Sequence, residues 1–380
     1  MGMKTEDRTS NASPDRSKRR LGKMLAMFGR RNAKLNTDSH SAPKQYGVRL
    51  ATHAGLAAIC MAGLAGQPAL AGDKVVDIGY QLMVNPWKVA IADHAFEKAT
   101  GYTIHWHQFS SGGQAIKALA SGAIQITSAG SVPIAAAVSN GLPVQLFWIL
   151  EGIGSNEELV VRNGAGIASP KDLAGKPIGV PVGSTSDLDL YYALKQWGVQ
   201  ARVLDMQPDA IVAGWTRGDI DAAFVWDPAL SRIKRTGKVM ITSGQICEKS
   251  GICTYDGLAV DKNWAAKHPQ FMTAFVKVLG EYYAKYNDNP GAWTPGSAMV
   301  SKIVKLNGAN PKDVPGILKG YIFPDLKQQV STTWLGANAG KSMAISAKFL
   351  SEIGQLGQPG SDAKYSAAVT TEWVDKALAQ

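Results

Sequence analysis

Four times along this chain an apolar run ends in a knot of small polar residues and passes at once into an amphipathic segment. The passages are HQFSSGGQAIKALASG, with Ser110, Ser111, Gly112 and Gly113; ITSAGSVPIAAA, with Ser128, Gly130 and Ser131; PVGSTSDLDL, with Ser184, Thr185 and Asp187; and FVWDPAL, with Trp226 and Asp227. Each reads as a strand, a tight turn and a helix start, and their repetition calls for an α/β fold with mainly parallel sheets. In open sheets of this kind ligands gather at the carboxyl ends of strands, where helix N-termini present free N–H groups. A single loop of this sort is ordinary helix capping. Four of them, two in each predicted lobe, point to a cleft lined with N–H and hydroxyl donors, suited to a small anionic group. Asp187 sits oddly in that picture, because a carboxylate in the first helical turn repels an anion.

The other elements follow the same alternation. KVVDIGY, YTIHWHQF, AIQITSAG, PVQLFWIL and ELVVR read as strands, and helices are predicted over 86–101, 113–121 and 131–141. From SPKDLAGKPIGVPVG a second unit starts, with a helix to Gly198, strands at RVLDMQ, IDAAFVW and KVMITSG, and a helix over PDAIVAGWTRG. Beyond DGLAV the pattern turns helical, with one long helix expected over 263–286. The second unit therefore looks inserted. The expected division is a leader over 1–71, a first lobe from 72–162 plus 258–380, and a second lobe over 163–257. Two lobes joined by two crossings imply a cleft and a hinge.

The net charge of +10 suggests a nucleic-acid partner until it is located. Residues 1–71 hold 12 Lys/Arg against 4 Asp/Glu, while the rest holds 28 against 26. The basicity belongs to the leader, and the body gives no electrostatic case for DNA or RNA. The leader is polar for its first ~50 residues. Arg49 then precedes LATHAGLAAICMAGLAG, a run of small apolar residues too short for a membrane span, and Ala69-Leu70-Ala71 satisfies the small-x-small cleavage rule. Export to the periplasm with cleavage after Ala71 is the expectation. Cys60 leaves with the leader. Cys247 and Cys253, close together in an exported chain, are expected to form a disulfide.

Several motifs point nowhere. GANAGKS over 336–342 is one residue short of a phosphate-binding loop and reads as a helix start. His105 and His107 share a strand face but have no third ligand at a sensible spacing, so no metal is expected. Neither a Gly-x-Ser-x-Gly elbow nor a zinc-type histidine motif is present. Trp226 ends a strand just before Asp227-Pro228, where its ring face could contact an ammonium group.

The segments GYQ…NPWKVAIAD, FSSGGQAIKALASGAIQITSAGSVPIAAAVSNGLPVQLFW, NEELVVR, KPIGVPVGSTS, ALKQWGV, KHPQFMTAFVK and above all MQPDAIVAGWTRGDIDAAFVWDPAL resemble, in order, the taurine-binding branch of the periplasmic solute-binding proteins of ABC transporters. The likeness covers nearly all of 74–380. It implies a two-lobed fold of the type II kind, with parallel or mixed sheets, flanking helices and a ligand cleft between lobes. It further implies a monomer that binds taurine or a related sulfonate, delivers it to an inner-membrane ABC permease with its ATPase, needs no cofactor and does no chemistry. By resemblance Gln81, Ser110, Gly112, Ser128, Gly130, Ser131, Ser184 and Thr185 line the cleft, part of them facing a sulfonate. Asp256, Glu157, Asp227 and Asp187 are the candidates for the ammonium. Asp256 and Glu157 stand where the family carries acids; Asp187 departs from it. The alternatives are a receptor for another alkanesulfonate or a small oxyanion such as nitrate, or an enzyme on the same fold akin to pyrimidine-synthesising relatives. That last reading needs a reactive His or Cys in the cleft, and the four loops contain none.

Overall fold

Alternation of inward and outward residues builds two separate sheets rather than one. The computed structural model describes residues 74–380; the leader, its cleavage after Ala71 and Cys60 lie outside them. The first sheet runs in the order β2 (Thr103–Phe109), β1 (Val75–Gln81), β3 (Ile126–Gly130), β10 (Tyr255–Asp261) and β4 (Val144–Gly152). The second runs β7 (Arg202–Asp205), β6 (Pro177–Val180), β8 (Ala222–Trp226), β5 (Glu157–Arg162) and β9 (Gly237–Thr242). In each sheet three strands pair in parallel, and one strand beside them runs the other way: β10 between β3 and β4, β5 between β8 and β9. Those two antiparallel strands are the ones the chain enters directly from a crossing. Both sheets are mixed, as expected.

The alternation is visible in the second lobe. Leu159, Val161, Ala222 and Phe224 point to one apolar cluster, whereas Val160, Ala223 and Val225 point to another on the opposite face. The helices that cover these faces are α5 (Thr185–Trp197) and α8 (Ser243–Ser250) on one side, α6 (Pro208–Arg217) and α7 (Ala229–Lys234) on the other. In the first lobe α1 (Trp87–Ala92), α2 (Ala95–Thr100), α3 (Gly112–Ala120), α4 (Ser131–Ser139), α9 (Lys262–Lys267) and α10 (Pro269–Asp288) surround the sheet. No helix among the described residues is long and apolar enough to cross a membrane.

Four details depart from the sequence expectation. Strand β5 belongs to the second sheet, so the chain crosses between Gly152 and Glu157, and it returns between Ser250 and Tyr255; 163 and 257 are too late. An apolar strand reads the same whichever sheet accepts it. The helix expected over 86–101 breaks at Asp93 and His94, where His94 takes φ 52°. The break lets the Asp93 carboxylate receive Tyr282 Oη at 2.9 Å and Lys302 Nζ at 2.5 Å. The long helix over 263–286 divides at His268, because Pro269 has no N–H to continue it. Helix α8 was not expected, although its Thr242-to-Gln245 capping box is written in the sequence.

The lobes touch. Val132 of α4 and Phe349 and Leu350 of the helix Asn338–Glu352 form a buried cluster with Leu188 of α5. Tyr191 and Lys195 of α5 reach Glu352 of the same helix. A Cβ on Gly130, at the end of β3, would lie 2.8 Å from Thr185 Cγ2 in the other lobe. The structure is therefore a closed form. Cys247 and Cys253 are joined by a disulfide, with Cα atoms 4.6 Å apart, tying α8 to the return crossing.

Candidate functional site

Both crossings deliver an acid to the same place. Glu157 is the first residue of β5 and Asp256 the second of β10, so each carboxyl sits where a lobe begins. They border a tight space of about 10 Å³ lined by Gln81, Met83, Gly112, Gly130, Pro133, Glu157, Ser184, Thr185, Trp226 and Asp256. Larger spaces exist, such as one of about 780 Å³ against α2 and α10, but exposed lysines border it. What distinguishes the small one is its polar groups buried from water.

The cavity holds two kinds of group, and Asp256 comes from the same lobe as the starts of α3 and α4. On the first lobe α3 and α4 start at the cavity, and neither N-terminus has a side-chain cap. Their first-turn N–H groups have no partner within the helix, and the fields of both helices favour an anion there. Gly112 fits because a Cβ would press on Pro133 Cγ at 3.0 Å and Ala129 Cα at 3.2 Å. Ser131 Oγ is fully buried and has no hydrogen-bond partner among the described residues. Gln81 is fixed from behind: its N–H donates to Ser128 Oγ at 3.1 Å and its Nε2 to the Ser128 carbonyl at 3.3 Å.

On the second lobe the helix start carries a side-chain cap. Ser184 Oγ accepts from the Asp187 N–H at 3.2 Å, and the Asp187 carboxylate accepts from the Gly183 N–H at 2.9 Å. Thr185 Oγ1 donates to Glu157 Oε1 at 2.7 Å, while Glu157 Oε2 is left without a partner among the described residues. Burial pushes Glu157 well above the usual carboxylate range, and Asp256 and Asp189 push it further. Burial raises Asp256 to about 7 and Asp187 to about 6. Among the described residues the cavity lining has no lysine or arginine. Two carboxyls facing a closed space can pair with a cation there.

Of the residues named from the sequence, Gln81, Gly112, Gly130, Glu157, Ser184, Thr185, Trp226 and Asp256 line the cavity. Ser128 and Ser131 lie just behind it, fully buried. Ser110, Asp187 and Asp227 do not line it. Ser110 is half-buried and its N–H turns to Gln114 Oε1 at 3.4 Å. Asp187 folds back on its own turn. Asp227 accepts the Ser231 N–H at 2.9 Å, inside α7, and faces a different space with Arg235 and Asp313. Met83 and Pro133 were missed. The signal for Met83 is a fifth strand-to-helix passage, QLMVNPW, which carries no hydroxyl; Met83 packs into the second lobe's apolar cluster with Val225 and Trp226. His105 and His107 both turn to Asp77, at 3.3 and 2.6 Å, on an exposed strand face.

Comparison with known proteins gives three findings. Residues 96–293 match the family described as NMT1/THI5 like. The taurine-binding periplasmic protein of Escherichia coli K12 is 39% identical over 302 residues, 79% of this chain and 92% of that protein. A putative aliphatic sulfonates-binding protein of Bacillus subtilis is 28% identical over 55% of this chain and 64% of its own length. Among solved structures, the alkanesulfonate-binding protein of Xanthomonas axonopodis pv. citri, bound to MOPS, superposes with a TM-score of 0.63 at 19% identity. It covers 78% of this chain and 98% of its own.

Proposed function

Since the chain belongs to the NMT1/THI5-like family, we propose that it is a periplasmic solute-binding protein that captures taurine between its lobes and delivers it to an inner-membrane ABC permease with its ATPase. The relative 39% identical to it carries taurine binding in its name. The observation that carries the reading here is the cavity's two chemistries: uncapped starts of α3 and α4 in the first lobe, and two acids, Asp256 from the first lobe and Glu157 from the second, with no lysine or arginine among the described lining residues. Taurine has an anionic sulfonate at one end and an ammonium at the other. The sulfonate takes the N–H groups of the first lobe; the ammonium takes Asp256 and Glu157, beside the face of Trp226.

The ligand touches both lobes and so favours the closed form, in which Gly130 meets Thr185 and the Val132–Leu188–Phe349 cluster is buried. The walls supply binding groups rather than a reacting pair, and the protein acts as a monomer that leaves its ligand unchanged. The disulfide fits an oxidising compartment. An amine-free sulfonate or nitrate leaves the two carboxyls without a partner in a closed site, which costs several-fold in affinity or more.

Calorimetric titration with taurine, ethanesulfonate and nitrate tests the assignment. Taurine is expected to bind tightest, and equal or tighter binding of either other ligand would overturn it.

A further inference from the structure

Behind the cavity lies a second polar layer that touches no ligand space. Glu151 on β4 is fully buried and stands opposite Asp256 in the β4–β10 ladder. Asn85 Nδ2 lies 3.1 Å from each of the Glu151 oxygens. Lys88 on α1 is also fully buried; it donates to the Gln81 carbonyl, and its Nζ lies 4.0 Å from the centre of the Tyr80 ring. It has no carboxylate within ion-pair distance among the described residues.

The groups bearing on Asp256 come from every side. Glu151 faces it from β4 and Glu157 from β5, with Asp189 of α5 behind Glu157. Tyr283 of α10 and Tyr321 are near both Asp256 and Glu151, and burial pushes their phenols further up, so they stay neutral. Lys88 is the one basic side chain in the layer among the described residues; burial pushes its ammonium well below the usual lysine range, and the neighbouring Glu151 pulls it back up. One such group cannot balance three ionised carboxyls in so dry a place. Two carboxyls that stand opposite each other titrate as a pair rather than singly.

We propose that Glu151, backed by Asn85 and Lys88, is a positioning residue for ligand choice: it and Asp256 hold one proton between them, and the arriving ammonium expels that proton to solvent. The inference rests on the taurine reading above. The charge balances, because one positive charge enters the layer as the proton leaves it. An amine-free sulfonate brings no such charge and displaces no proton. Burial supports the arrangement, since it raises Asp256 to about 7 and Glu151 well above its ordinary range.

Calorimetry at pH 7 in phosphate and in Tris, buffers of different ionisation enthalpy, counts the protons released. Taurine is expected to release about one and ethanesulfonate about none. With Glu151→Gln the release on taurine binding should fall by more than half, because Asp256 then ionises alone against Lys88; Glu151→Asp should restore it. The proposal is overturned if taurine binds the unaltered protein without releasing a proton, a result that decides the matter even where the variants fail to fold. It is overturned equally if Glu151→Gln folds and releases as many protons as before. Absence of taurine binding would instead bring down the functional reading beneath it.

Discussion

The start of α4 meets the cavity with no side-chain cap, whereas the start of α5, in van der Waals reach across the cleft, has one. Ser184 and Asp187 complete the α5 turn, and Thr185 is committed to Glu157. At α4 the neighbouring hydroxyl, Ser131 Oγ, is buried and without a partner among the described residues. Both helices follow a strand and a run of serine, threonine and glycine. The lesson is that such a run makes an anion cradle only where it leaves its N–H groups unspent. The first lobe offers donors and the acid Asp256; the second offers an acid held by a donor.

The largest expected effect erases the distinction by keeping the walls apart. Gly130→Ala puts a Cβ 2.8 Å from Thr185 Cγ2 and 3.3 Å from Asp256 Oδ1. Taurine and ethanesulfonate should both lose about 100-fold in affinity, with the melting temperature little changed; a loss confined to one ligand would contradict this. Thr185→Val keeps the shape but strips Glu157 of its donor. Titration should show taurine weakened by about 10-fold and ethanesulfonate by less.

A pH scan of the ligand-free protein probes the acid side alone. Burial raises Asp256 and Asp189 to about 7, above their values in the unfolded chain. Their contribution to stability is therefore whole below about pH 4 and is lost as pH rises through about 7. Thermal unfolding should show the melting temperature falling between pH 5 and 8, and falling less with taurine bound. The smallest effect belongs to Ser184→Ala. Loss of the α5 cap should cost about 1 kcal/mol of stability in denaturant unfolding, while taurine affinity stays within about two-fold, because that N-terminus is not the anion's.

Much of this was legible in the residues. Alternating apolar runs gave the strands, the glycines and prolines gave the turns, and Gly112, Gly130, Thr185 and Trp226 were placed at the cavity from their strand-end positions. The acids show where such reading stops. Asp227 ends a strand at the cleft lip in sequence, yet its carboxylate caps α7. Asp187 needs only its own turn. Asp256 and Glu157 meet because two crossings bring β10 and β5 to one point. No local pattern records which strand follows a crossing, so the pairing of those acids, and Glu151 behind them, depends on long-range topology.

The division between the cavity's donors and its acids is tested most directly by titrating Asp256→Asn with taurine and with ethanesulfonate beside the unaltered protein. Taurine should weaken by about 100-fold, the cost of leaving a buried ammonium without its charged partner, while ethanesulfonate stays nearly the same and the preference between them disappears. An unchanged preference for taurine, or an equal loss of both ligands, would contradict the account.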